Sequence, residues 1–577
     1  MADTSKVVKE FLGDEEFPID WETEAEKGLF WVYDDLHCPR PLSPMYFDIG
    51  GWWLTCDHMF RRFGTPFASD WVAKNVNGYL YTAAIPADPD FDVRSKEYNS
   101  LYVARVPKDD PDYASKIGNY LNAVLPVYGL NFADWWRDRL VPEMRRNLDY
   151  LESKVEDVDN IDLMEWAVIL EDAIDIHDRH WKIHWMLNFA QLSATLNLQA
   201  VMEEVRGEVD NELLGRLQNS ADDRNWDAIE ALWKMKEIAK DDDEIGAAFA
   251  GNTGDAIYEA LQGSDRGQKF IADNLEPYQK EFGWHAVWSH EFIFPSRFED
   301  PSPVLDVIKG YLDSDYDYPK AVQHLADDIA AASEQILDGL EGEAYEKMKA
   351  ANDINLKMAP LTPDHHFYID QGTNAHVRVV LICIGKKLVE AGVLDDAEDI
   401  VFLKYNELRY LVGDLENYKV KETIAARKAE RAEAETVKPK DWIGTATESQ
   451  LQFPYLSLWG FPERLDMEQG EGETITGIAA SPGVVEGTAK VVSSIDEFDE
   501  VKQGDILVCQ MTNPAWTPLF AMISAIVTDA GGTVSHPAVM AREFGIPAVI
   551  GCSVGTTKIK SGDRLRVDGS NGVVEVL

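Results

Sequence analysis

The hydrophobic period of this 577-residue chain changes once, abruptly, near Thr474. From Asn131 to Leu411 apolar residues recur at three- and four-residue steps, as in LMEWAVILEDAIDIHDRHWKIHWMLNF, the spacing of a buried helix face. After the acidic stretch DMEQGEGET (Asp466–Thr474) come short β-branched runs, AKVV, DILVC, AIVT, AVI and GVVEV, separated by Gly-rich turns. A helix buries every third or fourth side chain and a strand every second, so one pattern of burial cannot serve both stretches. The expected fold is therefore multidomain, a large mainly α-helical domain followed by a C-terminal α/β domain. Residues 1–130 read as an irregular, aromatic-rich region packing on the helical domain, because WVYDDLHCPRPLSPMYFDIGGWWL (Trp31–Leu54) has little helical period and several turn signals. Residues 131–418 form the helical domain, 419–474 a charged helix and flexible linker, and 475–577 the compact α/β domain.

Composition narrows the class. A hydrophobic content of 45% with 17 Trp allows large cores and excludes wholesale disorder. The formal net charge of −48 argues against nucleic acid or an anionic membrane as partner. Cys38, Cys56, Cys383, Cys509 and Cys552 are odd in number and lack CxxC spacing, so they read as reduced thiols rather than a disulfide or zinc framework. The N-terminus, MADTSKVVKEFLGDEEF, has no apolar core of signal-peptide length, and no long apolar run follows. A soluble, cytoplasmic protein is expected.

Chemistry concentrates in GGTVSHPAVMAREFGI (Gly531–Ile546). His536 stands between two glycines and a serine on one side and a Pro-led helical segment on the other, with Val539, Met540 and Phe544 at helical spacing. Pro537 suits the first helical position. His536 would then lie at the positive end of a helix beside unpaired backbone N–H groups, where a phosphoryl group is well placed. The same field disfavours imidazolium and favours the neutral, nucleophilic ring. A histidine that carries phosphate is expected.

These residues resemble the swivelling phosphohistidine domain of phosphoenolpyruvate synthase, pyruvate phosphate dikinase, rifampicin phosphotransferase and phenylphosphate synthase. The resemblance extends through ASPGVVEGTAKVV (Ala480–Val492), GDILVCQMTNPAWTPLF (Gly504–Phe520), AIVTDAGG (Ala525–Gly532), GIPAVIG (Gly545–Gly551) and SGDRLRVDGSNGVVEV (Ser561–Val576). It departs at Val534, where relatives often carry Thr, and at Pro537, where they usually carry Ala. It implies a swivelling domain at 475–577, phosphorylation of His536, and Gly531, Gly532, Thr533 and Ser535 around the phosphate. Arg542 either screens the phosphate or forms a surface ion pair. Phosphoenolpyruvate-using relatives carry a barrel after this domain, whereas here the sequence stops at Leu577 as the domain closes. The glycines of GAAFAGNTGD (Gly246–Asp255) lack phosphate-loop spacing. The architecture is most similar to the histidine-bearing subunit of phenylphosphate synthase. Asn252–Ala286 and Leu388–Leu411 look like the helical middle region of the rifampicin phosphotransferase group.

By that resemblance, an ATP-binding partner subunit with Mg²⁺ or Mn²⁺ would load His536, and the phosphoryl group would pass to a phenol or alkylphenol. The alternatives are the same mechanism on another hydroxyl, such as an antibiotic's, and a non-enzymatic phosphocarrier. His177, His180 and His184 fall on one helix face and serve an acceptor site, a metal or structure; no metal site is assigned. His365, His366, Asp370, His376 and Arg378, within PDHHFYIDQGTNAHVR, offer a proton acceptor near the carrier histidine, against capping and loop packing. Trp284 and His285 stand where relatives show an Arg-containing segment, and point to a different acceptor. Trp52, Trp53, Trp135, Trp136, Trp284 and Trp288 are core residues or the wall of an aromatic pocket.

Overall fold

The computed structural model describes residues 6–56, 58, 68–86, 131–286, 288–314, 316–417, 419–448, 450–452, 456, 459–465, 474–492, 495–512, 516, 519–520, 522–532 and 535–577. The chain separates into two compact units, the first built from Met1–Ser193, His290–Ile293 and Tyr368–Leu456, the second from the remainder. The helical stretch expected as one block is thus shared between them.

In the first unit, β1 (Val7–Phe11), β2 (Phe30–Tyr33), β3 (Ala68–Val76), β4 (Tyr79–Pro86) and β5 (Trp442–Thr447) form a sheet. Its order is β1-β5-β2-β4-β3, antiparallel throughout. The N-terminal region is therefore not irregular where it is described. Its strands are short and rich in β-branched and aromatic residues, and one face packs Trp31, Tyr33, Tyr79, Tyr81 and Ile443. Part of the stretch read as linker is also structured, because Trp442–Thr447 is a strand lying between β1 and β2. Its pairing partners lie about 400 residues away in sequence, so no local signal reveals them. Residues 466–473 of the expected hinge lie outside the described residues. The unit also holds helices Val141–Glu156, Leu163–Arg206 (as far as Ser193), Asn374–Glu390 and Lys421–Ala434. Asn374–Ile384 is buried at every position, which explains why its apolar residues run on without a clear polar face.

The second unit joins a helical layer to an α/β layer. The helices include Arg224–Asp241, Gly254–Gln262, Ser302–Ser314 and Tyr318–Leu337, around a core of Trp226, Leu232, Phe270, Leu305 and Tyr311. Its sheet holds β6 (Thr474–Thr476), β7 (Ile478–Ser481), β8 (Val484–Val492), β9 (Ile506–Cys509), β10 (Ala525–Thr528), β11 (Ala548–Ile550), β12 (Arg564–Asp568) and β13 (Val573–Val576). The order is β6-β13-β12-β8-β9-β10-β11-β7, with β8 to β11 parallel and the flanking strands antiparallel. Successive β9 residues point to opposite cores, Ile506 and Val508 to one, Leu507 and Cys509 to the other. Burial on both faces accounts for the unbroken apolar run ILVC. The mostly helical chain with its C-terminal α/β domain is the expected fold class.

Candidate functional site

The turn before His536 leaves the carboxyl end of β10, a parallel strand flanked by two others, where open α/β sheets place their chemistry. Backbone bonds fix it. Asp529 and Ala530 N–H donate to the carbonyls of Cys509 and Gln510 at 3.1 and 2.9 Å, while Cys552 and Ser553 N–H donate to Thr528 and Asp529, both at 2.9 Å. The Asp529 carboxylate accepts from the Thr556 amide and hydroxyl. Gly531 has φ +113°, a region closed to other residues, and a Cβ there would lie 2.7 Å from Ser535 Oγ. Ser535 is extended (φ −71°, ψ 158°), so the helix His536–Glu543 begins at the histidine itself. Pro537 thus takes the second helical position, one later than expected, where its missing N–H is equally harmless. Ala538, Met540 and Ala541 seat this helix on the core beside Leu507 and Ile526.

The Ser535 hydroxyl donates to the Gly532 carbonyl at 2.7 Å and does not cap the helix. Gly532 therefore braces the turn. Arg542 Nε donates to the Ala538 carbonyl at 3.0 Å. Thr533 and the side chain of His536 lie outside the described residues. The glycines of Gly246–Asp255 serve packing. Gly246 is inside a helix, and a Cβ on Gly254 would lie 2.1 Å from the Ser302 carbonyl oxygen, an arrangement that does not fit a phosphate loop.

Of the expected acceptor-site residues, His365, His366, Trp284 and His285 belong to the second unit. The His365 ring lies 4.0 Å from His366, and Trp284 stacks on Phe298 at 4.1 Å with its indole N–H on the Lys280 carbonyl. His285 meets the edge of Phe367 at 4.7 Å. Asp370, His376, Arg378, His177, His180 and His184 belong to the first unit, so PDHHFYIDQGTNAHVR is divided after Phe367. Arg378 is buried, its guanidinium on both Glu398 oxygens at 2.9 and 2.8 Å and on the Phe292 carbonyl. His376 bonds the Gly372 carbonyl at 2.6 Å and Glu152 at 3.2 Å. His177 Nε2 donates to the Gly50 carbonyl at 3.1 Å. His180 lies between Thr373 Oγ1 at 2.7 Å and the Asn147 amide at 3.1 Å. Burial first, then His177, His376 and Arg179, push its pKa down to about 3, so it is neutral at pH 7. His184 receives the Asn188 amide at 2.8 Å and faces Asp370 at 3.3 Å.

Asp34, His37, Ser43, Tyr46, His290 and Glu291, which sequence reasoning did not single out, complete this region. Asp34 holds His37 at 2.9 Å and accepts from the Trp52 indole at 2.9 Å. Tyr46 bonds His290 at 3.1 Å, and Glu291 accepts from the backbone and hydroxyl of Ser43. Burial raises the Glu291 carboxyl, against the pull of Arg431 and Ser43. The rings of Trp52, Trp181 and Trp185 surround these groups. The Asp-x-x-His spacing of Asp34 and His37 was the available signal; the approach of His290 from over 240 residues away had none.

Residues 501–572 match the mobile domain of PEP-utilising enzymes, and residues 183–354 match the fourth domain of rifampicin phosphotransferase. An uncharacterized phosphotransferase, YvkC, of Bacillus subtilis (strain 168) is 31% identical over 395 residues, 68% of this chain and 47% of that protein. The rifampicin phosphotransferase of the same organism is 37% identical over 192 residues, 33% of this chain and 20% of its own. A phosphoenolpyruvate synthase of Aeropyrum pernix is 47% identical over 114 residues, 20% of this chain and 14% of its own. The chain spans less than half the length of each of these relatives. With the fold described above, residues 183–354 and 501–572 place the chain in the superfamily of PEP-utilising enzymes and rifampicin phosphotransferases.

Proposed function

We propose that this chain is the histidine-bearing component of a dikinase-type phosphotransferase whose acceptor is the hydroxyl of a phenol or alkylphenol. The observation that carries the reading is the position of His536 as the first residue of a helix, after a glycine-locked turn at the end of a parallel strand. Backbone N–H groups at that end favour the phosphoryl group, and the helix dipole favours the neutral ring that accepts it. A partner subunit binds ATP with Mg²⁺ or Mn²⁺, and ATP and water yield AMP, phosphate and phospho-His536. The mobile domain then delivers the phosphoryl group to the acceptor oxygen. A mobile carrier suits two half-reactions that each need a dry, fixed geometry. The aromatic and histidine-rich region of the first unit supports an aromatic acceptor, since flat apolar walls with a few polar groups suit one.

The match of residues 183–354 favours a second reading in which the acceptor is an antibiotic hydroxyl. One experiment separates them. The chain, purified with its co-isolating subunits from the native host, is given ATP labelled at the β-phosphate, then phenol or rifampicin. Acid-labile label at His536 that phenol removes and rifampicin leaves is the expected result. Discharge by rifampicin alone establishes the second reading, and labelling without discharge by either rejects both acceptors.

A further inference from the structure

In the first unit, helix Leu163–Arg206 carries two buried polar atoms that loading of the carrier histidine does not use. His177 is fully buried, and its Nε2 lies 3.1 Å from the Gly50 carbonyl oxygen. A carbonyl oxygen only accepts, so Nε2 holds the proton and Nδ1 of the neutral ring bears a lone pair. Among the described residues no donor reaches that Nδ1, and the Asp178 carboxylate, at 3.7 Å, is beyond hydrogen-bond range. One turn on, Trp181 is 1% exposed, and its indole N–H likewise has no acceptor among the described residues. A bare acceptor and a bare donor thus stand four residues apart, on one face of one helix. Each is costly to bury unless something completes it.

The neighbouring polar groups are engaged elsewhere. His180 bonds at both nitrogens, His184 takes the Asn188 amide, and His290 is bonded to Tyr46. Gly50 is held in place, since a Cβ on it would lie 2.4 Å from the Tyr46 ring and 2.8 Å from Phe292. Its carbonyl therefore keeps the tautomer of His177 set. The His177 and Trp181 ring centroids are 6.0 Å apart, with the planes tilted by 50°. An oxygen with a hydrogen bond of about 2.9 Å to a nitrogen of each ring spans that separation. Around Trp181 stand the rings of His184 at 4.6 Å, His290 at 5.8 Å and Trp185 at 6.4 Å. Such walls suit a flat apolar body.

We propose that His177 and Trp181 form a binding site of the first unit for the hydroxyl of a small aromatic alcohol. The hydroxyl donates to His177 Nδ1, and its oxygen accepts from the Trp181 indole N–H. One hydroxyl completes both buried atoms at once. An ether or a carboxylate can only accept, and a hydrocarbon does neither. Water has the same donor and acceptor but no ring to meet the aromatic walls. The choice of a phenol as the alcohol rests on the phosphotransferase reading above, whereas the site itself is built from the first unit alone.

The test uses the full chain labelled with ¹⁵N at tryptophan. The indole N–H signal that is lost in Trp181→Phe identifies Trp181, and phenol or toluene, close in shape, is titrated into the wild type. Phenol should move this signal to saturation, while toluene should need at least about tenfold more to fill the site. His177→Phe keeps a ring but no lone pair, and should weaken phenol binding about tenfold or more. Should that variant fail to fold, as judged by near-UV circular dichroism, the phenol and toluene comparison on the wild type carries the test unaided. An equal response to both compounds, or none to either, means an ordered water only and overturns the inference. Phenol that moves the Trp181 signal but does not discharge phospho-His536 overturns the acceptor reading and leaves this site standing. Phenol that discharges phospho-His536 with the Trp181 signal unmoved overturns this site and leaves the acceptor reading standing.

Discussion

The histidine turn and the aromatic–histidine region of the first unit are built in opposite ways. The turn is local: Cys509, Thr528, Asp529, Gly531, Ser535, Cys552 and Thr556 supply its bonds and its special conformation within about 50 residues of one sheet. The other region gathers side chains from four distant segments, Asp34 to Trp52, His177 to Trp185, His290 to Phe292, and Asp370 to Arg378. A group that carries phosphate needs one residue in a fixed backbone frame, which a short motif can encode. A pocket for an acceptor needs walls, and walls come from packing.

The comparison can be broken most directly at the carrier. His536→Ala should abolish acid-labile labelling and transfer while the unfolding free energy from urea titration stays within about 1 kcal/mol of wild type. Residual turnover above a few per cent would sink the carrier reading. In the first unit, Arg378→Ala leaves the Phe292 carbonyl without its donor and empties a fully buried site. It should cost about 3 kcal/mol, measured by urea unfolding. Gly531→Ala forces an L-residue to φ +113° against Ser535 and should cost about 2 kcal/mol, with slower loading of the carrier. An unchanged loading rate would show that the turn tolerates movement.

A further test concerns pH. Burial, reinforced by Asp364, raises the Asp223 carboxyl to about 8. Between the unfolded value of about 3.9 and that folded value, the folded state holds a proton that the unfolded state has lost. Stability from this group is therefore fully present below about pH 4 and declines as pH rises towards 8, by at most about 1.4 kcal/mol per pH unit. Asp223→Asn keeps the cap on the Asn225 amide and should flatten that slope, as read from unfolding midpoints at several pH values. An identical slope would mean that Asp223 is ionised in the folded protein.

Legibility in the sequence followed the same division. The period change near Thr474 separated the helical part from the α/β part, because a two-residue and a 3.6-residue repeat are visible over a few turns of chain. His536, Gly531 and the following helix were legible as a motif. Residues 1–130 were not read as sheet, since short aromatic strands interrupted by turns carry little period and one partner, Trp442–Thr447, enters from the far end of the chain. Pro363–Arg378 read as one polar patch, yet it splits after Phe367, since its neighbours in space are set by packing within each unit. His180 read as serving an acceptor site, a metal or structure; its environment makes it a neutral link between Thr373 and Asn147.

Linear pattern was enough to mark where the chain changes from helices to an α/β sheet, and that one histidine stands at a glycine-rich turn before a helix. Those properties follow from side-chain period and from the backbone limits of Gly and Pro, which act over a few residues. Folding in three dimensions was needed to bring Asp34 to His37, Trp52 to Asp34, and His290 and Trp181 to the same region. Contacts between residues hundreds of positions apart depend on how whole elements pack, and a linear pattern does not record that.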